Sequence, residues 1–434
     1  MVSGSMEPST MTEDWFPAET LKHLDTQVVF NSERIRFRFR WDQPHPGGWI
    51  HDMVVYTDGT WRQFAEPSPW VTADEHSEYG GFYEDRVSFL LDDGSVKGFE
   101  EFGGWLTAHE GMRSLPSAAS ADEVQAHDHY GADGLDKTDI RKYIPQACEG
   151  EWWENDWRQV KSQEELEQLK QEGVFLDLPM WRAHRSDPVG YGTDAHVLDY
   201  RHSDQGQKTY TTQEWDPEDG PELMWDPMVV DDGALDYHAI RDGEFPAQGE
   251  DTYALELDDA VAFDPSVAEW EGAMIPRRPL REPSGSAADW KATGTWADGE
   301  WTVEMWRDLQ TDHPLDTTQL EPGGVYTWTP AVHHGAGKRW HWVGYPYKLG
   351  LGVEPDHPGA AHTDEPTELV ATRVSGETPN WDRIETYTLP LVFPGLLIWD
   401  DLVDESHPQG DDVRDAAVTM WELHEIDAAA FDPR

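Results

Sequence analysis

The chain of 434 residues has one cysteine, Cys148. That excludes an internal disulfide framework, a cysteine-rich zinc site, an iron–sulfur cluster held by this chain alone, and haem fixed through two thioethers. Basic residues are scarce as well: 32 Lys+Arg stand against 86 Asp+Glu, a formal net charge of -54. A surface of that sign is repelled by nucleic acid and by anionic membranes. Long apolar runs are also missing. The longest, Leu389 to Trp399, contains two prolines and is too short to span a bilayer. The first residues show neither a basic stretch followed by an apolar one nor paired arginines, so no export signal is expected from this start. Gly-x-Ser-x-Gly, His-Glu-x-x-His, a phosphate loop and a Gly-x-Gly-x-x-Gly after a strand are all absent, which removes the commonest hydrolase and nucleotide-binding signatures.

Aromatic residues, by contrast, are plentiful: 23 Trp, 14 Tyr and 14 Phe supply a core that an acidic disordered chain would lack. The acids are spread along the whole sequence, which fits a hydrated surface. Self-repulsion of such a surface at low ionic strength, relieved by screening, marks the protein as salt-adapted and its source as a halophile.

Period-two alternation runs through the chain. In "ERIRFRFRW" (Glu33 to Trp41), Ile35, Phe37 and Phe39 are expected to face a core. "HDMVVYTDGTWRQF" reads as two strands about Asp58-Gly59, and "DRVSFLLDDGSVKGF" as two about Asp93-Gly94. "ATGTWADGEWTVEMWRDL" is a hairpin about Asp298-Gly299 with Trp301, Val303 and Met305 inward. "GGVYTWTPAVH" and "RWHWVGYPY" follow as strands. The clearest helix is "KSQEELEQLKQEG", which Ser162 and Glu165 can cap and Gly173 can end. These elements predict an all-β protein, an antiparallel β-sandwich with a partly helical insertion and long loops. The expected layout is a polar tail (1–32), a first part of the sandwich (33–117), the insertion (118–172) and a sandwich segment (173–202). A loop-rich insertion (203–291), the second part of the sandwich (292–407) and a C-terminal segment (408–434) complete it.

Histidines and a methionine in aromatic surroundings are the residues with chemistry to offer: His341 in "RWHWVGYPY", Met180 and His184 in "DLPMWRAHR", and His109 in "GGWLTAHEGMR". An apolar setting with such donors suits the burial of a haem and its axial ligation. Each residue also has a bland reading, as a strand histidine bonded to neighbours, a core methionine or a cap histidine.

The order of "RIRFRFRWDQP", "YEDRVSFLLDDG", "GGWLTAHEGMR", "DLPMWRAHRSDPVGYG", "GTWADGEWTVEMWRDL" and "RWHWVGYPYKLGLG" resembles the ethylbenzene-dehydrogenase-related haem-binding family, which includes the haem b subunits of dimethyl sulfoxide reductase-type molybdenum enzymes. The resemblance implies a β-sandwich with noncovalent haem b in an apolar pocket, one haem per chain or two. It implies a methionine ligand, falling on Met180, and a lysine on a late strand, whose place His341 takes, with Lys338 and Lys348 flanking it as alternatives. His109 is a third candidate and His184 a further one, since relatives with covalent haem carry cysteines where this chain has Gly104 and Ala108. Trp181, Trp340, Trp342 and Tyr345 are the expected pocket wall. His127, His129, His196 or His202 could supply a ligand from the insertions.

What the resemblance implies for function is an electron-transfer subunit without substrate chemistry of its own, beside iron–sulfur and molybdenum subunits of a nitrate or related oxyanion reductase or dehydrogenase. It would sit as a peripheral subunit on the outer face of the cytoplasmic membrane, exported with a partner, or remain cytoplasmic. The alternative is a haem-free carbohydrate- or partner-binding sandwich.

Overall fold

The computed structural model describes residues 21–43, 50–64, 83–113, 118–150, 156–242, 244, 253–333, 341–355, 368–376 and 378–392. The strand Arg34–Asp42 shows how the pattern becomes structure. Ile35, Phe37, Phe39 and Trp41 are buried, while Arg34, Arg36, Arg38 and Arg40 stay half-exposed on the other face. Those arginines meet carboxylates on neighbouring strands, Arg36 with Glu304 at 3.0 Å and Arg40 with Asp25 at 2.8 Å. On one side the strand pairs with Glu300–Asp308, on the other with Leu21–Phe30. Leu21–Phe30 corrects the expected polar tail: Leu24, Thr26, Val28 and Phe30 are buried, as are Lys22, Gln27 and Val29, and the polar residues among them hide the strand in the sequence.

Both aspartate-glycine hairpins form as expected. Asp58 and Gly59 join Met53–Thr57 to Thr60–Phe64, and Asp298 and Gly299 join Lys291–Ala297 to Glu300–Asp308. In each turn both residues have positive φ, the conformation a tight two-residue hairpin needs. The third differs. Asp92 ends the strand Arg86–Asp92 by accepting from the backbone N–H groups of Gly94 (3.0 Å) and Val96 (3.2 Å), and the chain leaves the sheet for the short helix Phe99–Phe102 instead of returning as a strand.

One 14-stranded sheet dominates. Its spatial order runs Lys291–Ala297, Glu300–Asp308, Arg34–Asp42, Leu21–Phe30, Glu368–Arg373, Tyr347–Leu351, Val325–His333, Arg86–Asp92, Leu176–Asp177, Ala195–Val197, Arg201–Ser203. Most neighbours are antiparallel, and Glu368–Arg373 pairs in parallel on both sides. The sheet folds over on itself. Phe37 of one arm lies 4.9 Å from Phe89 and 5.8 Å from Trp328 of the other, ring centroid to centroid, so the two arms pack as a sandwich around an aromatic core. On the outside of the second arm sit the insertion and a smaller sheet of Leu235–Asp236, Ala273–Pro276, Met53–Thr57 and Thr60–Phe64.

Within the insertion, the helix Gln163–Gln171 starts on a full capping box: Ser162 accepts from the Glu165 N–H, and the Glu165 side chain accepts from the Ser162 N–H. Replacing Ser162 with alanine should cost about 1 kcal/mol, read as a shift of the urea midpoint at constant slope.

Candidate functional site

Four strands of the second arm turn one face outward beneath the insertion and the smaller sheet, and their register sets two rows of side chains across that face. Met180 of Met180–Arg182 lies opposite Ser88, Ser88 opposite Ala331 and Ala331 opposite Val343 of Trp342–Gly344. Two residues along, Arg182 lies opposite Arg86 and Arg86 opposite His333, with His341 just before Trp342 at the end of the row. All eight side chains line one cavity of about 560 Å³. That size is in the range of sites for cofactors and small ligands.

Alternation explains which expected residues reach it. Trp181 follows Met180 and so points to the opposite face, into the sandwich, where its ring lies 4.8 Å from Trp301 and 6.1 Å from Trp41. Trp342 lies between two cavity residues in sequence and also turns away, with the Lys22 ammonium over its ring. Tyr345 packs against Trp105 and Tyr347. Trp181, Trp342 and Tyr345 of the expected aromatic wall are therefore core, and small residues, Ser88, Ala331 and Gly104, form much of the floor. Lys338 and Trp340 lie outside the described residues.

Of the candidate ligands, the cavity gathers Met180 and His341. His109 is buried against Tyr143, ring centroids 4.3 Å apart, and does not line it. His184 lies one step behind, 6.5 Å from His51, and burial lowers it to about 4. Lys348 donates to Thr327 (2.8 Å) and pairs with Glu100 (2.9 Å) away from the cavity. His129 and His202 both bond to Asp199, at 2.7 and 2.9 Å.

Sequence reasoning passed over His333. Its ring stacks on that of His341, centroids 4.4 Å apart and planes within 15°. Burial, then Arg86, His341 and the other cations around it, hold His333 well below its ordinary value, so the imidazole is neutral and its lone pair is available. Period two within "GGVYTWTPAVH" already places Thr329, Ala331 and His333 on one face.

Also passed over was the charge. In a chain of net -54, nine basic residues surround this one cavity. Arg86 and Arg182 come from the strands. Arg113 comes from just before the insertion, Arg141 and Lys142 from within it, Arg185 and Arg201 from the sandwich segment that follows, and Lys208 and Arg278 from the loop-rich insertion after that. Asp52 is the one acid in the lining; it binds Arg278 at 2.7 Å and Arg277 at 3.3 Å. Glu84, beneath the lining, holds Arg185 at 2.5 Å and Arg182 at 3.6 Å. Among the described residues Arg201 and Lys208 have no carboxylate partner.

The ionisation of the lining reports this surplus. Burial lowers Arg182 to about 9 and Arg201 to about 10, and the neighbouring arginines add to the effect. Burial would raise Tyr210, but Arg185, Arg182, Lys208 and Arg278 outweigh it and bring the phenol down to about 7. A buried site with that much positive charge selects a ligand with anionic groups. Soft and imidazole donors, Met180, His341 and His333, sit at the same cavity. The arrangement can hold an anionic ligand and offers it thioether and imidazole donors.

A family model described as Ethylbenzene dehydrogenase matches residues 7–344, well over half of the chain and a span that contains Met180, His333 and His341. No curated protein matches.

Proposed function

Since the chain belongs to the ethylbenzene dehydrogenase family, we propose that the cavity is the seat of one noncovalent haem b and that the protein is the electron-transfer subunit of a molybdenum oxidoreductase. The observation that carries this reading is the convergence of Met180 and the His341/His333 pair on a cavity whose cations can neutralise two carboxylates. Haem held by two protein ligands supplies one-electron transfer and no open position for a substrate.

The chain's own residues divide the remaining tasks. Met180 would offer a thioether from the start of one row and His341 an imidazole from the far end of the other, with His333 stacked against it as a neutral neighbour that fixes the ring plane. Arg182, Arg86 and Arg201 receive the carboxylates, and Leu90, Leu178 and Val343 keep water from the rest of the lining. Iron–sulfur and molybdenum subunits are the partners this function requires. Among the described residues no helix is long and apolar enough to cross a membrane. A neutral sugar is a poor match by comparison: it has no use for nine cations, and every described tryptophan is buried or half-buried rather than standing on the surface as a platform.

The test is an oxidised-minus-reduced visible spectrum with a pyridine haemochrome assay, on protein purified in molar salt with haem supplied. The expected result is a b-type spectrum at about one haem per chain, with the low-spin bands lost in His341→Ala and shifted in Met180→Ala. A protein that stays colourless under these conditions would sink the proposal.

A further inference from the structure

Around the strand Ala195–Val197 lies a group of acids that the haem reading does not use. Asp177, Asp194, Asp204 and Asp316 are all buried, each at most 6% exposed, together with His196 at 3%. Donor atoms of His196, Asp204 and Asp316 lie within 4.8 Å of one another. Three elements bring them together: His196 stands on Ala195–Val197, Asp204 directly follows Arg201–Ser203, and Asp316 comes from the loop after Glu300–Asp308.

Protein donors account for only part of this acid. Asp204 Oδ1 faces His196 Nδ1 at 2.7 Å, and Asp316 Oδ2 accepts from Ser286 Oγ at 2.8 Å and the Gln205 N–H at 3.3 Å. Asp177 accepts from the Thr318 N–H at 3.1 Å and lies 3.8 Å from Arg307, whose own hydrogen bonds go to the carbonyls of Asp308, Leu309 and Thr318. Asp204 Oδ2 is left buried with no hydrogen-bond partner, and the Asp177 and Asp194 carboxyls meet closely enough to share a proton. Four carboxylates against one buried arginine are a costly arrangement unless a proton or a cation shares the space.

We propose that His196, Asp204 and Asp316 bind a divalent metal ion, with zinc or manganese favoured by the mixed imidazole and carboxylate donors. Asp204 brings a buried Oδ2 that has no hydrogen-bond partner. Imidazole selects against calcium and magnesium, and two carboxylates select against the softer, thiolate-seeking ions. His196 and Lys170 line a cleft of about 190 Å³ between the helix Gln163–Gln171 and Arg201–Ser203. Lys170 Nζ stands 3.1 Å from His196 Nε2, donating to it, so Nδ1 carries the ring proton that faces Asp204. Metal at Nδ1 displaces that proton, the ring then carries its hydrogen on Nε2 instead, and the half-buried Lys170 ammonium, which donates to Nε2, must move off. Lys170 is therefore a built-in competitor of the metal.

The experiment is elemental analysis and Zn²⁺ and Mn²⁺ titration of the full chain, stripped with chelator and held in molar sodium chloride so that surface carboxylates do not count. One equivalent per chain is expected, weakened about tenfold or more in Asp204→Asn and in Asp316→Asn, and tightened in Lys170→Met. The last variant touches only a helix end, so it keeps the test decisive if either asparagine variant fails to fold. No stoichiometric uptake, or uptake that neither Asp204→Asn nor Lys170→Met alters, would overturn the site and assign the cluster to shared protons.

Discussion

Alanine in place of Glu84 should lower the free energy of unfolding by about 3–5 kcal/mol. Glu84 is wholly buried, and its two oxygens collect four donors from one short segment. Oε2 accepts from the backbone N–H groups of His184 (2.9 Å) and Arg185 (2.8 Å). Oε1 accepts from Arg185 Nε and lies 3.6 Å from Arg182. Removing the carboxylate leaves two buried guanidiniums without their counter-charge and two N–H groups without an acceptor, which is why the loss exceeds that of an ordinary ion pair. Asp308→Ala breaks the exposed pair with Arg34 and serves as the comparison, with an expected loss of under about 1 kcal/mol. Urea titrations of both variants against the parent at constant salt decide the matter.

The same carboxylate fixes a pH signature. Burial raises Glu84, but Arg185, Arg182 and Arg86 outweigh it and bring it from 4.5 to about 2. A depressed acid contributes stability that is fully present above its unfolded value and is lost as pH falls through its folded one. The difference between parent and Glu84→Ala should therefore be constant above about pH 5, shrink between pH 4.5 and 2, and lose on the order of 3 kcal/mol across that window. A difference that stays flat down to pH 2 would mean that the arginines find other partners and that the segment is not held by Glu84.

This segment also shows what the sequence could and could not say. Alternation placed Met180 and His341 in apolar surroundings, and the hairpins about Asp58-Gly59 and Asp298-Gly299 could be read directly, because a local turn needs only local residues. Which face of Met180–Arg182 meets the cavity depends on its pairing with Arg86–Asp92 across about ninety intervening residues, and no local pattern carries that register. Trp181 was therefore assigned to the pocket when it belongs to the core. The nine cations were invisible for the same reason. Scattered from Arg86 to Arg278 among more than twice as many acids, they become a cluster only when the strands, the insertion and the smaller sheet close over one face. His333 is a different case, since alternation within its own strand pointed to it and only the neighbouring His341 drew attention away.

Tryptophan in place of Ala331 should abolish haem uptake while leaving the fold intact. Ala331 sits in the middle of the floor, between Ser88 and Val343 and one row from the His333/His341 pair, so an indole there grows into the cavity rather than into the sandwich. Its neighbours on the strand, Pro330 and Val332, face the other way and are not disturbed. Filling an existing space does not incur the strain of overpacking a filled core, so the melting temperature of the haem-free protein should hold or rise. Haem affinity should fall by about a hundredfold or more, equivalent to about 3 kcal/mol, measured by titrating haem into the apoprotein and following the visible bands. The variant separates two explanations that ligand substitutions leave joined. Loss of the spectrum in His341→Ala reports on the iron's coordination, whereas loss in Ala331→Trp with both donors intact reports on the space between them. If Ala331→Trp bound haem as the parent does, the cavity between Met180 and His341 would not be the seat, and the nine cations would have to serve another anion.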